Sequence, residues 1–194
     1  MIQYRPMIMC GMDEVGRGAL AGPLVAAATV LSPQRSTLKL NDSKKLIHDL
    51  RFKIYEKIKK SGAVIAVEEI SARQINTKGM GWANKEIFRR LKNKIPADKY
   101  MADGNLKIAG ITSVVKADTK IPEVMAASII AKVWRDKHMI RLHDEHPIYG
   151  WQSNKGYGTK YHIAAIREHG ITKYHRSKFV RTALIPHPFR SPLL

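Results

Sequence analysis
Short apolar runs that stop on acidic residues constrain this chain more than any other feature of its sequence. Residues 8–12 (IMCGM) run into Asp13 and Glu14, and residues 100–102 (YMA) run into Asp103. Residues 111–115 (ITSVV) are followed by Lys116, Ala117 and Asp118. Runs this short, several of them rich in branched side chains, read as buried strands. Residues 24–31 (LVAAATVL) and 63–67 (AVIAV) read the same way.

Between these runs the spacing turns helical. Leu50, Ile54 and Ile58 recur every four residues ahead of Gly62, a suitable stop. Ser71 suits the N-cap of a short helix, and Ala83, Ile87, Phe88 and Leu91 mark one face of another. Pro122 suits a helix start ahead of the Ala-rich stretch 124–142, and a further helix is expected from Thr159 to Gly170. The alternation predicts an α/β fold, a mixed central β-sheet flanked by helices, with an irregular tail from Pro186.

Charge narrows the function. The 194 residues include 34 Lys and Arg against 16 Asp and Glu, a net charge of +18. Such a surface attracts polyanions, and nucleic acid is the commonest. A soluble basic surface or an RNA-packed ribosomal protein has the same composition. The single cysteine, Cys10, forms no internal disulfide, which fits a reducing compartment. No apolar run approaches the roughly 20 residues that span a bilayer, and no signal peptide is expected at MIQYRPMIMCGMDE. The expectation is a soluble, cytoplasmic protein.

If the acid-terminated strands lie side by side, Asp13, Glu14, Asp103 and Asp118 meet at one edge of the sheet. Two charges 4 Å apart repel by about 4 kcal/mol at an effective dielectric of about 20. Gathering four therefore calls for a compensating cation. Oxygen donors without neighbouring Cys or His suit Mg²⁺ or Mn²⁺, and a pair of such ions suits phosphodiester hydrolysis. The alternative at this point is that the acids are unrelated caps in turns. Gly16-Arg17-Gly18 with Gly22 has the wrong spacing for a dinucleotide fingerprint. It reads either as a loop that brings backbone N–H groups and Arg17 to a phosphate or as a tight strand connection. Residues 149–181 carry seven Lys and Arg against the one acid Glu168, interleaved with Tyr and Gly, as in a groove for a nucleic-acid backbone. Lys53, Lys57 and Lys60 read as the wet face of a helix, most histidines as surface or cap residues, and Ser128 as helix packing.

In order, the chain contains GMDEVGRGALAGPLVAAATVL, LNDSKKL, ADGN, VVKADTK, AASIIAKVWRD and NKGYGTKYH. Together these resemble ribonuclease HII, the type 2 ribonuclease H family, from about Met9 to Phe179. The resemblance implies a ribonuclease H-like fold, with residues 1–145 as catalytic domain and 146–194 as a basic segment packed on it. It implies endonucleolytic hydrolysis of RNA in RNA/DNA hybrids. It also implies incision 5′ of single ribonucleotides embedded in duplex DNA, leaving 3′-hydroxyl and 5′-phosphate ends. The family's catalytic and metal-binding acids fall on Asp13, Glu14, Asp103 and Asp118, with Asp13 shared by two Mg²⁺ or Mn²⁺ ions. Asp136 competes as a fourth ligand but reads as a structural helix residue.

The resemblance assigns recognition of the ribose 2′-OH to Gly16, Arg17, Gly18 and Tyr157. Lys44, Lys45, Lys155, Lys160 and Arg176 are further substrate-binding candidates. The expected partners are RNA/DNA hybrids and ribonucleotide-containing duplex DNA, with no membrane, and the expected state is a monomer. The sequence departs from the family pattern at Val15, usually Ala; at Asn154, often His; and at Lys178, commonly Ser. Glu123 introduces an acid that bears on the metal site. An inactive nucleic-acid binder and a nuclease of different specificity on the same fold are the rival readings.

Overall fold
The computed structural model describes residues 7–32 and 48–185. Its centre is a five-stranded sheet in the order β3-β2-β1-β4-β5. The strands are β1 (Met9–Val15), β2 (Leu24–Val30), β3 (Val64–Ile70), β4 (Lys99–Asp103) and β5 (Thr112–Val114). β2 runs antiparallel to β1 and β3, whereas β4 runs parallel to β1 and β5, so the sheet is mixed as the alternation of elements predicts.

Helices cover both faces. α1 (His48–Lys60) and α4 (Pro122–Glu145) pack on one, and α2 (Ala72–Lys78) and α3 (Met80–Lys94) on the other. The composition of β2 explains how both layers come close. Ala26 and Ala28 face the α3 side and Ala27 faces α4, all fully buried, so small side chains alternate across the strand. Gly11 on β1 serves the same end, because a Cβ there would lie 2.1 Å from the Glu123 carbonyl carbon. The Thr29 hydroxyl donates to the Glu123 carbonyl at 2.6 Å and pins the start of α4 to β2. Pro122 opens α4 at a position where a missing N–H costs nothing. Ser71 caps α2 through a reciprocal bond with Gln74.

The C-terminal segment forms α5 (Trp151–Asn154), α6 (Lys160–His169) and α7 (Ser177–Leu184). Its core residues Tyr149, Trp151, Ile166 and Val180 pack on Met139 and Leu142 of α4 and on Leu20 and Ala21. α4 is therefore buried by the sheet along its first half and by this segment along its second. Two expectations change here. Leu50 is 48% exposed, because α1 reaches the core only through Ile54, Tyr55 and Ile58. His162 and His175, read with most histidines as surface or cap residues, are buried beside Trp151, whose indole N–H donates to His162 Nε2 at 3.0 Å. Among the described residues no helix is long and apolar enough to cross a membrane.

Candidate active site
The register of the sheet assembles the acids. Met12 on β1 pairs with Ala102 on β4, so Asp13 and Asp103 are the next residues along two parallel neighbours. Asp103 pairs in turn with Val114 on β5. Beyond β5 the chain passes through Lys116, which is left-handed with φ 59°, into a single 3₁₀ turn that carries Asp118. The Ala117 N–H donates to Asp103 Oδ1 at 2.8 Å and ties that turn to the strand. Asp13, Glu14, Asp103 and Asp118 line one cavity of about 360 Å³, with Ser128 and Lys132 of α4 and Arg51 of α1 at its walls.

The carboxylates are held against their preference for water. Burial, reinforced by repulsion from Glu14 and Asp103, pushes the Asp13 carboxyl from 3.8 up to about 7. A hydrogen bond from the Ser128 side chain and the Glu14 N–H at 2.8 Å work in the opposite direction. Glu14 is also raised, first by burial, and is partly relieved by Arg17, whose Nη1 lies 3.4 Å from Glu14 Oε1. Among the described residues no three His, Cys, Asp or Glu side chains already converge as a finished metal cage. What fits a hard divalent ion is the chemistry of the donors: oxygen only, mutually repelling, around an open cavity with room for water or substrate oxygens.

The Gly16-Arg17-Gly18 loop continues directly from β1 at the edge of this cavity. Gly16 has φ 91°, and a Cβ there would lie 2.2 Å from Arg135 Nε, so only glycine fits. The loop is joined to the Lys155–Gly158 turn by hydrogen bonds from the Leu20 and Ala21 N–H groups to the Gly156 carbonyl, at 2.8 and 3.1 Å. Tyr157 stands on that turn, 36% exposed, with its ring centre 5.4 Å from the Arg135 guanidinium carbon. Asn154 closes the turn by accepting from the Gly156 N–H and donating to the Tyr149 carbonyl.

The basic candidates divide. Arg17 and Lys160 are exposed near these loops, and Lys155 is half-buried with its ammonium on the Gln152 carbonyl. Lys44 and Lys45 lie outside the described residues. Arg176, read as a phosphate contact, is instead fully buried, because its guanidinium is spent on the Gly16, Arg17 and Gly22 carbonyls. Lys178 is exposed on α7. Asp136 does not line the acid cavity and is held by Lys132 Nζ at 2.7 Å, in keeping with a structural role. Glu123 does not line it either; it lies at the start of α4, where its charge acts on Cys10.

Two residues escaped sequence reasoning. Ser128, read as helix packing, reaches Asp13, and the signal for it was only a lone hydroxyl within an Ala and Ile run. Arg135 is fully buried in the middle of α4, and its neighbours Lys132, Asp136 and Lys137 made it read as one more exposed charge.

Comparison with known proteins gives a consistent picture. The chain matches the family model described as Ribonuclease HII over residues 10–184. A Ribonuclease HII of Pelagibacter ubique is 44% identical over 178 residues, 89% of this chain and 95% of that one. The RNase HII of Archaeoglobus fulgidus, solved in complex with PCNA, superposes with a TM-score of 0.78 at 26% identity, covering 88% of this chain and 94% of that one. Bst-RNase HIII, solved in complex with Mn²⁺, superposes with a TM-score of 0.69 at 21% identity, covering 94% of this chain and 70% of that one, and so speaks to the fold alone.

Proposed function
The chain belongs to the ribonuclease HII family and is a ribonuclease H, and from that premise we propose that it cleaves RNA/DNA hybrids endonucleolytically. In the same reading it incises 5′ of single ribonucleotides embedded in duplex DNA, leaving 3′-hydroxyl and 5′-phosphate ends. The observation that carries this reading is the meeting of Asp13, Glu14, Asp103 and Asp118 on one cavity that opens beside the Gly16–Gly18 loop.

Asp13, Glu14, Asp103 and Asp118 would hold two Mg²⁺ or Mn²⁺ ions. When bound, such ions supply an activated water and offset charge on the leaving oxygen. The chain's own groups do the rest. Ser128 keeps the Asp13 carboxylate oriented and favours its charged form. Arg17, exposed and anchored on Glu14, would take a substrate phosphate. The backbone of Gly16–Gly18 and the phenol of Tyr157 would engage the ribose 2′-OH, the group that separates RNA from DNA. Lys155 and Lys160 would follow the flanking phosphates. A protein with this activity serves primer removal and ribonucleotide repair.

The test is cleavage of a DNA duplex carrying one ribonucleotide, in Mg²⁺, in Mn²⁺ and in chelator. The proposal expects a single cut 5′ of the ribonucleotide that chelator abolishes. An intact duplex in both metals, alongside cleavage of a uniform hybrid, would restrict the enzyme to hybrids.

A further inference from the structure
Two guanidinium groups lie buried directly behind the recognition loops, and neither takes part in the chemistry assigned above. Arg176 is fully buried, and its hydrogen bonds all go to backbone carbonyls: Nε to Gly22 at 3.0 Å, Nη1 to Gly16 at 2.6 Å and Nη1 to Arg17 at 2.9 Å. Nη2 is buried with no hydrogen-bond partner among the described residues. Arg135, also fully buried, donates Nε to Pro23 at 3.0 Å, Nη2 to Ala21 at 3.1 Å and Nη1 to Lys155 at 2.8 Å. One guanidinium thus fastens the loop after β1 to itself, and the other fastens it to the turn that carries Tyr157.

Burying two like charges side by side is an expensive way to hold a fold together, and an unused buried donor adds to the expense. Burial, with Arg135 as the second cause, pulls Arg176 down to about 9. What the pair achieves is direction. In a trans peptide the carbonyl and the following N–H point opposite ways. With the Gly16 and Arg17 carbonyls turned inward onto Arg176, the N–H groups of Arg17 and Gly18 are turned away from it. Arg135 fixes the second half of the arrangement, since it holds the Lys155 carbonyl two residues before Tyr157 and lies 5.4 Å from that ring.

We infer that Arg135 and Arg176 are positioning residues for ribonucleotide selectivity: Arg176 aims the loop amides, and Arg135 sets Tyr157 at a fixed separation from them. This rests on the reading that the loop and Tyr157 engage the 2′-OH. Lysine in either place keeps the charge but cannot span several carbonyls with a planar fork.

The test uses the full chain in Mg²⁺ with two substrates, a DNA duplex holding one ribonucleotide and a uniform RNA/DNA hybrid. Arg135→Lys and Arg176→Lys are expected to lower kcat/KM on the single-ribonucleotide duplex by about tenfold more than on the uniform hybrid, the signature of a misplaced hydrogen-bonding group. The uniform hybrid offers a 2′-OH at every step, so it tolerates a displaced reader. A purely structural role would lower both substrates in proportion and lower the melting temperature with them. An unchanged ratio in folded variants, or a proportional loss on both substrates, overturns the inference. If the lysine variants do not fold, Gly22→Ala gives the second reading, because its Cβ would crowd Met139 Sδ and lie 3.4 Å from Arg135 Nη2. The same selective loss is then expected, and its absence is decisive against the inference. Failure of the unaltered protein to cut the single-ribonucleotide duplex is a different result, since it removes the 2′-OH reading itself.

Discussion

Asp13 and Asp103 stand on adjacent parallel strands, each the first residue beyond the paired rung Met12–Ala102. Their proximity is imposed by the sheet and cannot relax by a change of rotamer alone. Burial, with repulsion from Glu14 and Asp103 added to it, raises Asp13 to about 7 from 3.8, so between those values the folded chain holds a proton that the unfolded chain releases. A raised carboxyl pKa contributes stability below 3.8 that is lost as the pH rises through 7. In the absence of divalent ions, Asp13→Asn should therefore be more stable than the unaltered protein at pH 8, by on the order of 2–4 kcal/mol. The difference should shrink toward zero near pH 4. Thermal melts in chelator at the two pH values check this. Mn²⁺ should then raise the melting temperature of the unaltered protein at pH 8 and leave Asp13→Asn nearly where it was.

Ser128 supplies the hydrogen bond that favours the charged form of Asp13. Ser128→Ala should raise the acid limb of the pH–rate profile by about half a unit to one unit and weaken Mn²⁺ binding, with little change in fold stability. The pH dependence of hybrid cleavage measures the first effect and calorimetric titration the second. An unmoved acid limb would separate Ser128 from the site.

Gly11 is needed because α4 crosses β1 at that residue, and a Cβ would collide with backbone of Glu123 and Val124 at 2.1 and 2.2 Å. Backbone cannot give way as a side-chain tip does. Gly11→Ala should destabilise the protein by about 1–3 kcal/mol and reduce cleavage further by shifting Ser128 away from Asp13. Urea unfolding gives the first quantity and steady-state kinetics the second.

The buried imidazoles should make the protein acid-sensitive. His175 Nδ1 accepts from the Thr172 N–H at 2.9 Å, which places its proton on Nε2, facing His162 Nε2 at 3.2 Å. The His162 Nδ1 lies 2.9 Å from the Tyr157 carbonyl and donates to it, leaving its Nε2 to accept from the Trp151 indole. Both rings are therefore neutral, and burial lowers His175 to about 4 from 6.5. With a depressed folded value, the stability is fully present above pH 6.5 and is lost as the pH falls toward 4, on the order of 3 kcal/mol for this residue. Chemical unfolding at pH 7 and pH 4.5 should show that loss, and His175→Gln should flatten the slope even though its stability at pH 7 is lower.

The sheet was largely legible in the sequence because each strand is a short apolar run with an abrupt end. Asp13, Asp103 and Asp118 follow such ends; backbone pairing brings the first two together, and the turn after β5, held by the Asp103 carboxylate, adds the third. Side chains that act across the fold were not legible. Ser128 looks like any small residue of a packed helix until α4 is laid over β1. Arg176 lies in a basic stretch and reads as a phosphate contact, yet the chain folds it inward against the loop that begins 160 residues earlier at Gly16. His162 and His175 look like surface residues because nothing local announces that Trp151 and Tyr149 will enclose them.

The proposed cleavage depends on divalent ions held by the four acids. Diffraction from crystals soaked in Mn²⁺, recorded at the manganese absorption edge, measures this most directly. The predicted result is anomalous density in the cavity, in contact with carboxylate oxygens of Asp13, Glu14, Asp103 and Asp118, and lost in Asp13→Asn. A cavity free of such density at a Mn²⁺ concentration that sustains full cleavage would contradict it.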